Sequence, residues 1–474
     1  MSEDIYKISP ATQKNRRTFV HFSKSTQSNL NKIFSIVLVI FLALAPIPFG
    51  SNRPVFWALS GVALSSMTLT YLMLLYFRNS KLRNNLTRLK ASLILYIILL
   101  IFITIQIIPF GDWLKPFSIK IDDLVISSNS LSLSPSMSLL SLIQFASYGL
   151  LFFLILQISH NTERARFLLK AIFLIITVYA AYSIFALTQL NDSILFMDKW
   201  AYNGVATATF INRNSFATFL AFGLIIGIAF SVAALLPNDD LTGQQKSPLS
   251  SLLFGLGSAI IMVALLATQS RMGFAAGISG AVVTLILVFS KTSKSTRLIW
   301  SVTIIGFLGL SALFTLYGSG LLERLGSTES LADGRLALYT QVIDMISTRP
   351  WLGFGAGSFE LVFPLFHQLP LSPDLVWDKA HNTYLALWSE LGIIFGSIPI
   401  ILVIIYSRIA WQIYRTTKRR WLHSAIMIGV ITTTAIHSLV DFSLEIHAVA
   451  FIFCAIMALG ISGSTRSITE KDNV

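Results

Sequence analysis

Twelve apolar runs, at roughly 33–49, 54–77, 91–108, 138–158, 168–188, 214–236, 250–269, 273–289, 298–317, 383–406, 422–444 and 446–462, take up most of the chain. Each is close to the roughly 20 residues that carry a helix across the hydrocarbon core of a bilayer. Backbone groups in that core have no water to bond, and a helix satisfies them within the segment. The runs therefore predict an all-α polytopic membrane protein of about twelve transmembrane helices. A mean hydropathy of +0.72, with only 12% charged residues, excludes a soluble multidomain protein, where about a quarter of residues are charged. The single cysteine, Cys454, lies inside the last run, so no disulfide forms within the chain.

The net charge of +13 is distributed in a way that points to topology. With the N-terminus inside, the inward segments hold 25 of the 35 Lys and Arg, and the outward segments hold 15 of the 22 carboxylates. The inside is then +18 and the outside −5, the asymmetry of the positive-inside rule. The basic excess is read as orientation plus attraction to anionic inner-leaflet lipids, and nucleic acid is not an expected partner. Five segments follow: a cytoplasmic tail 1–32, transmembrane helices one to nine in 33–317, an outward loop 318–382, helices ten to twelve in 383–462, and a cytoplasmic tail 463–474. The polar, basic start is too long before its first apolar run for a cleaved signal peptide, so the first span is expected to be retained.

The loop 318–382 is the one long interruption, and such loops on rigid scaffolds are where chemistry is most often placed. Leu336, Tyr339, Val342, Ile343 and Ile346 recur at helical spacing, which predicts a short amphipathic helix on the membrane surface. The glycines of Gly353-Phe354-Gly355-Ala356-Gly357 follow no strand and open no βαβ unit, so they are read as turns rather than a nucleotide loop.

Three outward cations stand at bilayer level: Arg213 at the start of the sixth run, Arg271 between the seventh and eighth, and Arg335 in the loop. A guanidinium fork binds phosphate oxygens in pairs and stays charged at any working pH, which suits a lipid-linked diphosphate at the interface. Snorkelling to headgroups is the plainer role for any one of them. His381 is the candidate general base, since a neutral imidazole takes a proton from a hydroxyl near neutral pH, and Asn382 would orient the acceptor or the ring. Glu390 lies inside the tenth run, and an intramembrane carboxylate is expected to pair, here with an outward arginine. His437, Asp441 and His447 are expected to form a supporting network near the outward ends of the last two runs. A metal reading stays open: Asp374, Asp378 and His381 at i, i+4 and i+7 would share one helix face, although Pro373 and the lack of a fourth ligand weigh against it.

Taken together, Asp333-Gly334-Arg335, Arg349-Pro350-Trp351-Leu352-Gly353-Phe354-Gly355, His381-Asn382-Thr383-Tyr384-Leu385 and Glu390-Leu391-Gly392 resemble the bacterial O-antigen ligase and O-antigen polymerase superfamily of polytopic glycosyltransferases. Asn212-Arg213-Asn214 and Thr268-Gln269-Ser270-Arg271 extend the resemblance upstream, over about half of the chain. The resemblance implies a GT-C-like, twelve-helix enzyme of the bacterial inner membrane, with its catalytic loop between helices nine and ten facing the periplasm. It implies an undecaprenyl-diphosphate-linked glycan as donor, and as acceptor a lipid A core sugar (ligase) or a second lipid-linked glycan (polymerase). His381 is then the catalytic base, with Arg213, Arg271, Arg335, Asn382 and Glu390 binding substrate, and neither metal nor cofactor is required. One continuous loop ending in His-Asn, after arginines on two earlier outward turns, resembles the ligase arrangement more than the polymerase. The rival from another class is a twelve-span transporter or lipid-glycan flippase; it would gather its polar groups at the bilayer midplane in repeated halves, and no repeat is visible here.

The orientation is checked by cysteine labelling. In a Cys454→Ala background, Ser319→Cys is expected to react with a membrane-impermeant thiol reagent in intact spheroplasts and Ser293→Cys to stay unlabelled. Labelling of the second alone would invert the topology.

Overall fold

The computed structural model describes residues 28–80, 82, 89–111, 118–121, 124–195, 197–235, 247–292 and 331–462. The ninth predicted span (298–317), the first part of the long loop, most of the N-terminal tail and the C-terminal tail lie outside the described residues. Within them the chain is helical: α1 (Ser28–Leu44), α2 (Pro54–Phe77), α3 (Lys90–Ile107), α4 (Pro135–Ile158), α5 (Thr162–Gln189), α6 (Arg213–Leu235), α7 (Pro248–Ala267), α8 (Arg271–Thr292), α9 (Leu331–Thr348), α10 (Thr383–Gly396), α11 (Ile398–Thr416), α12 (Trp421–His437) and α13 (His447–Ile461). Eight of these, α2 to α8 and α11, are long and apolar enough to cross a membrane, and α1, α10, α12 and α13 are shorter apolar helices. The protein is thus an all-helical polytopic membrane protein, apart from one antiparallel hairpin, β1 (Ser118–Ile121) with β2 (Leu124–Ser127). That hairpin departs from the purely α expectation.

Local chemistry explains several helix starts. Pro54, Pro135 and Pro248 open α2, α4 and α7, where a missing N–H costs nothing. Asn161 caps α5 by accepting from the Glu163 and Arg164 amides. α6 and α13 are the most enclosed helices, with α6 packed against α5, α7, α8 and α12. At the end of the bundle away from the long loop, the buried guanidinium of Arg420 donates to the carbonyls of Ser159 and His160 and to the Ser462 hydroxyl, tying three chain segments together.

Two expectations change in the loop and beside it. The tenth predicted run, 383–406, is not one helix: α10 is broken internally at Gly392 (φ 72, ψ 165) and ends at Gly396, and α11 starts afresh at Ile398. The amides and carbonyls freed by that break are taken up by the glycine-rich segment. Phe354 N–H donates to Ser389 O at 2.9 Å, Gly355 N–H to Glu390 O at 2.9 Å, and Ile393 N–H to Pro350 O at 2.7 Å. Gln106, fully buried on α3, donates to the carbonyls of Leu352 and Glu390 and accepts from Ala356 N–H. The glycines are therefore sites of close backbone approach, not only turns. α9 confirms the helix expected from the loop pattern, but its buried face is Leu338, Val342, Met345 and Ile346, while Leu336 and Ile343 are exposed. That face packs with Phe354, Phe359, Phe363 and Leu385 into a separate small core beneath the loop.

A Cβ at Gly392 would lie 2.2 Å from Trp351 O, in a backbone conformation that costs about 1–3 kcal/mol for a non-glycine residue. Gly392→Ala is expected to lower the thermal unfolding midpoint and to open the loop to limited proteolysis. Gly111→Ala, also at positive φ but with nothing within 4 Å, is expected to change the midpoint far less; equal effects would mean the stitched break does not hold the loop.

Candidate functional site

His381 sits at the turn into α10 with φ 51, a left-handed conformation uncommon for a residue with a side chain. The conformation is held from three sides. Asn382 caps α10 by accepting from Tyr384 N–H at 3.0 Å and Leu385 N–H at 3.1 Å, and its amide donates to Leu439 O at 3.0 Å. The Tyr339 hydroxyl on α9 donates to His381 O at 2.9 Å, and Thr383 N–H donates to Ser438 O at 3.0 Å. The imidazole packs edge-on to Phe442, 5.0 Å between centroids, and its Nδ1 is buried with no hydrogen-bond partner among the described residues. Asn382 is thus committed to backbone groups, and its part in the site is to set the histidine.

A belt of polar side chains joins this turn to the starts of α6 and α8. Asp441, 1% exposed, accepts from Asn214 Nδ2 at 3.1 Å and from the Ser443 hydroxyl. Asn214 Oδ1 in turn accepts from Ser270 Oγ at 2.8 Å. Thr218 Oγ1 lies 2.6 Å from His437 Nδ1 and 2.9 Å from Ser443 Oγ. Thr383 Oγ1 donates to Asp441 O at 3.1 Å, which closes the belt on the His381 turn. Four stretches far apart in sequence, at 212–218, 270–271, 381–383 and 437–443, are brought to one end of the bundle.

Arg213 is the first residue of α6, whose aligned N–H groups add to its positive charge. Its guanidinium lies 5.6 Å from the centroid of the Tyr202 ring, and its Nε makes no hydrogen bond among the described residues. Arg271 opens α8 beside Ser270 and is exposed. Arg335, on α9, is near enough to act electrostatically on His381, Tyr202 and Tyr339. Burial, helped by Arg335, holds the His381 imidazole below its ordinary pKa, against the opposing pull of Asp441 and Asp378. The arrangement is a neutral imidazole beside fixed cations, which suits proton removal next to an anion.

Other expected residues fall elsewhere. Glu390 pairs with loop amides rather than with an arginine: its two oxygens accept from Gly357 N–H at 2.8 Å and Phe359 N–H at 3.3 Å, which anchors the loop. His447 leaves the expected network and packs among Trp57, Tyr148 and Phe451. The metal spacing presumed a helix, but residues 371–382 are not helical, and no group of three metal-binding side chains gathers among the described residues. Two features went unread in the sequence. Tyr202 rides on a loop fixed by buried Lys199, which pairs with Asp192 at 2.7 Å and donates to Val205 O. Lys379 pairs with Glu445 at 3.1 Å, two residues before the histidine. An aromatic residue eleven positions before Arg213, on a segment bound to the same side, was the available signal for the first; nothing in the sequence pairs Lys379 with Glu445.

The fold and site define a polytopic membrane protein that gathers a histidine and three arginines at one end of its bundle. Residues 256–400 match the family model described as O-antigen ligase. The match supports the O-antigen ligase superfamily, of the ligase and polymerase type of glycosyltransferase; no curated protein matches the chain. It takes in Arg271, Arg335, His381 and Glu390 and leaves Arg213 and Asp441 on either side.

Because the charged form of His381 is disfavoured on folding, protonation below the ordinary value of about 6.5 favours the unfolded chain, and this group takes stability away as pH falls through that range. Carbethoxylation of His381, read by peptide mass spectrometry, is expected to persist to lower pH than for an ordinary histidine. Arg335→Gln should move its midpoint to higher pH. An unmoved midpoint would remove Arg335 from the ring's surroundings.

Proposed function

We propose that the protein transfers a glycan from an undecaprenyl-diphosphate-linked donor to an acceptor sugar on the periplasmic side of the bacterial inner membrane, in the manner of an O-antigen ligase with a lipid A core sugar as acceptor. The observation that carries this reading is the convergence of His381 with Arg213, Arg271 and Arg335 on one end of the bundle through the Asp441 belt. The Lys and Arg asymmetry supports the periplasmic orientation of that end, with both termini cytoplasmic.

In this reading the acceptor hydroxyl gives its proton to a neutral nitrogen of His381 as its oxygen attacks the anomeric carbon of the donor. The bond between that carbon and the diphosphate oxygen breaks on the opposite face, and its electron pair leaves with undecaprenyl diphosphate. The anomeric centre is inverted in this single displacement. The leaving group is already activated, so Arg213 and Arg271, joined by Arg335, stabilise the developing charge with groups that need no reorganisation. Their fixed guanidinium charge supplies what a divalent ion supplies in other transferases. The Tyr202 ring, 5.6 Å from the Arg213 guanidinium, would help to hold that cation at the site. Asn382 and Glu390 serve this site by holding the turn and the loop.

His381→Ala is expected to lower turnover about 10²–10⁴-fold in folded, inserted protein. Arg213→Lys and Arg271→Lys keep charge but lose the planar fork, and both are expected to be badly impaired. In a deletion strain, full-length glycan should stay on its carrier and leave the lipid A core bare. Single repeat units on the core would identify a polymerase instead, and near-normal transfer by His381→Ala would remove the base.

A further inference from the structure

The loop before α6 is built to hold one side chain, Tyr202, in a fixed place. Its backbone is left-handed at Asn191, Asp192, Leu195 and Tyr202 itself, with φ of 50, 55, 56 and 55. Such conformations are costly for residues with side chains and persist only where the surroundings enforce them. Here Lys199, with its side chain 3% exposed, pairs with Asp192 at 2.7 Å and donates to Val205 O at 2.6 Å. Asp192 also accepts from Gly204 N–H at 2.6 Å, and Ala206 N–H donates to Ala267 O at 2.9 Å. These bonds bracket Tyr202 on both sides and tie it to the end of α7.

The direction of the Tyr202 proton follows from Asn212. Asn212 Oδ1 caps α6 by accepting from Asn214 N–H at 2.7 Å and Ser215 N–H at 3.2 Å, so the atom facing those amides is the oxygen. Its amide nitrogen is thereby turned to Tyr202, whose hydroxyl oxygen accepts from it at 3.3 Å. That nitrogen offers no lone pair in return, and the Tyr202 O–H meets no acceptor among the described residues. Tyr202 is 38% exposed, so the proton faces open space. Arg335, Asp441 and Asp378 each lie within electrostatic reach of both Tyr202 and His381, which places that space within the site. Asp441 is already satisfied by Asn214 and Ser443. The Arg213 guanidinium lies by the Tyr202 ring, and no carboxylate pairs with it among the described residues. Burial pushes the phenol above its ordinary pKa although Arg213 pulls the other way, so the group keeps its proton at working pH.

We propose that Tyr202 touches the substrate: its hydroxyl donates a hydrogen bond to a diphosphate oxygen of the lipid-linked donor, alongside the Arg213 guanidinium. Asn212 is a positioning residue, since one side chain both caps α6 and turns the phenolic proton outward. The inference rests on the glycosyl-transfer reading for the identity of the diphosphate. The phenol keeps its proton throughout, and its O–H is a fixed donor for the charge that collects on the departing diphosphate. The loop's strain and its buried ion pair then have a purpose, which is to hold that donor still. A purely structural Tyr202 would need only its ring, as a shelf for the Arg213 cation.

The probe is farnesyl diphosphate, titrated calorimetrically into the full chain in phosphatidylcholine nanodiscs. Tyr202→Phe keeps the ring beside Arg213 and removes only the hydroxyl. It should raise the Kd about 10–100-fold, the loss expected for a hydrogen bond to a charged group, at an unchanged unfolding midpoint. An unchanged Kd would reduce Tyr202 to a shelf and overturn the inference, while the arginine reading stands. Asn212→Asp keeps a good helix cap but offers the phenol an acceptor, which draws its proton inward. That change should cost affinity in the unaltered protein and far less in the Tyr202→Phe background. Equal costs in the two backgrounds would mean that the added charge alone acts, and would overturn the part given to Asn212. Exchanging phosphatidylcholine for phosphatidylglycerol should weaken both the unaltered and Tyr202→Phe proteins alike. A loss confined to the unaltered protein would give the hydroxyl to a phospholipid headgroup and overturn the diphosphate assignment. Absence of binding by the unaltered protein, or binding that Arg213→Lys and Arg271→Lys both leave unchanged, would overturn the arginine reading and this inference with it.

Discussion

The carboxylate of Asp441 is the point on which the site's geometry depends. A buried carboxylate is costly unless its oxygens are satisfied, and here Asn214 and Ser443 donate to it. Asn214 opens α6 and itself accepts from Ser270 in the turn before α8, so satisfying one charge draws α6, that turn and the segment after α12 together. The backbone of the same residue accepts from Thr383, which fixes the start of α10 against them. A substitution that removed this group would leave several polar atoms without partners, and its effect would not divide into a stability part and a catalytic part.

The second constraint is the break in α10. A helix broken at Gly392 inside an apolar protein exposes carbonyls and amides that must find partners. Residues 350–357 supply them, and Gln106 binds both partners from α3. The loop is consequently a part of the scaffold at its centre. Its small apolar core, with Leu338, Val342 and Phe354 fully buried, keeps α9 beside the His381 turn. That is how a loop residue such as Arg335 can influence a histidine at a helix start.

The elements that were legible in the sequence are those set by one-dimensional pattern. The run at 54–77 coincides with α2, and most other described helices begin and end within a few residues of their runs, because hydropathy and helix-opening prolines are local properties. The α10 break was not legible, since Gly392 looks like any glycine in an apolar run and only its close approach to Trp351 and Leu352 makes it a break. The buried face of α9 was misjudged for a related reason. Leu336 and Leu338 are equally apolar, and only the position of Phe359 and Leu385 decides which is inside. At the site, arginine and histidine stood out against a background of few charges. Tyr202 and Glu445 did not, because their roles come from a tertiary neighbour rather than from their own position.

The histidine itself shows how the two constraints combine. Its left-handed backbone is tolerated because Asn382, Tyr339 and Thr383 between them bond the groups around it. Relaxing that turn would cost the α10 cap and the link to α9 together. The strain therefore persists, and one ring nitrogen has no hydrogen-bond partner among the described residues. Burial and Arg335 keep the ring neutral, and Asp441 limits how far they do so. A more exposed histidine would be protonated more readily beside these carboxylates, and one deeper in the bundle would be cut off from the polar belt. The His381 position is a compromise between those limits, held by the same polar belt that gathers the arginines around it.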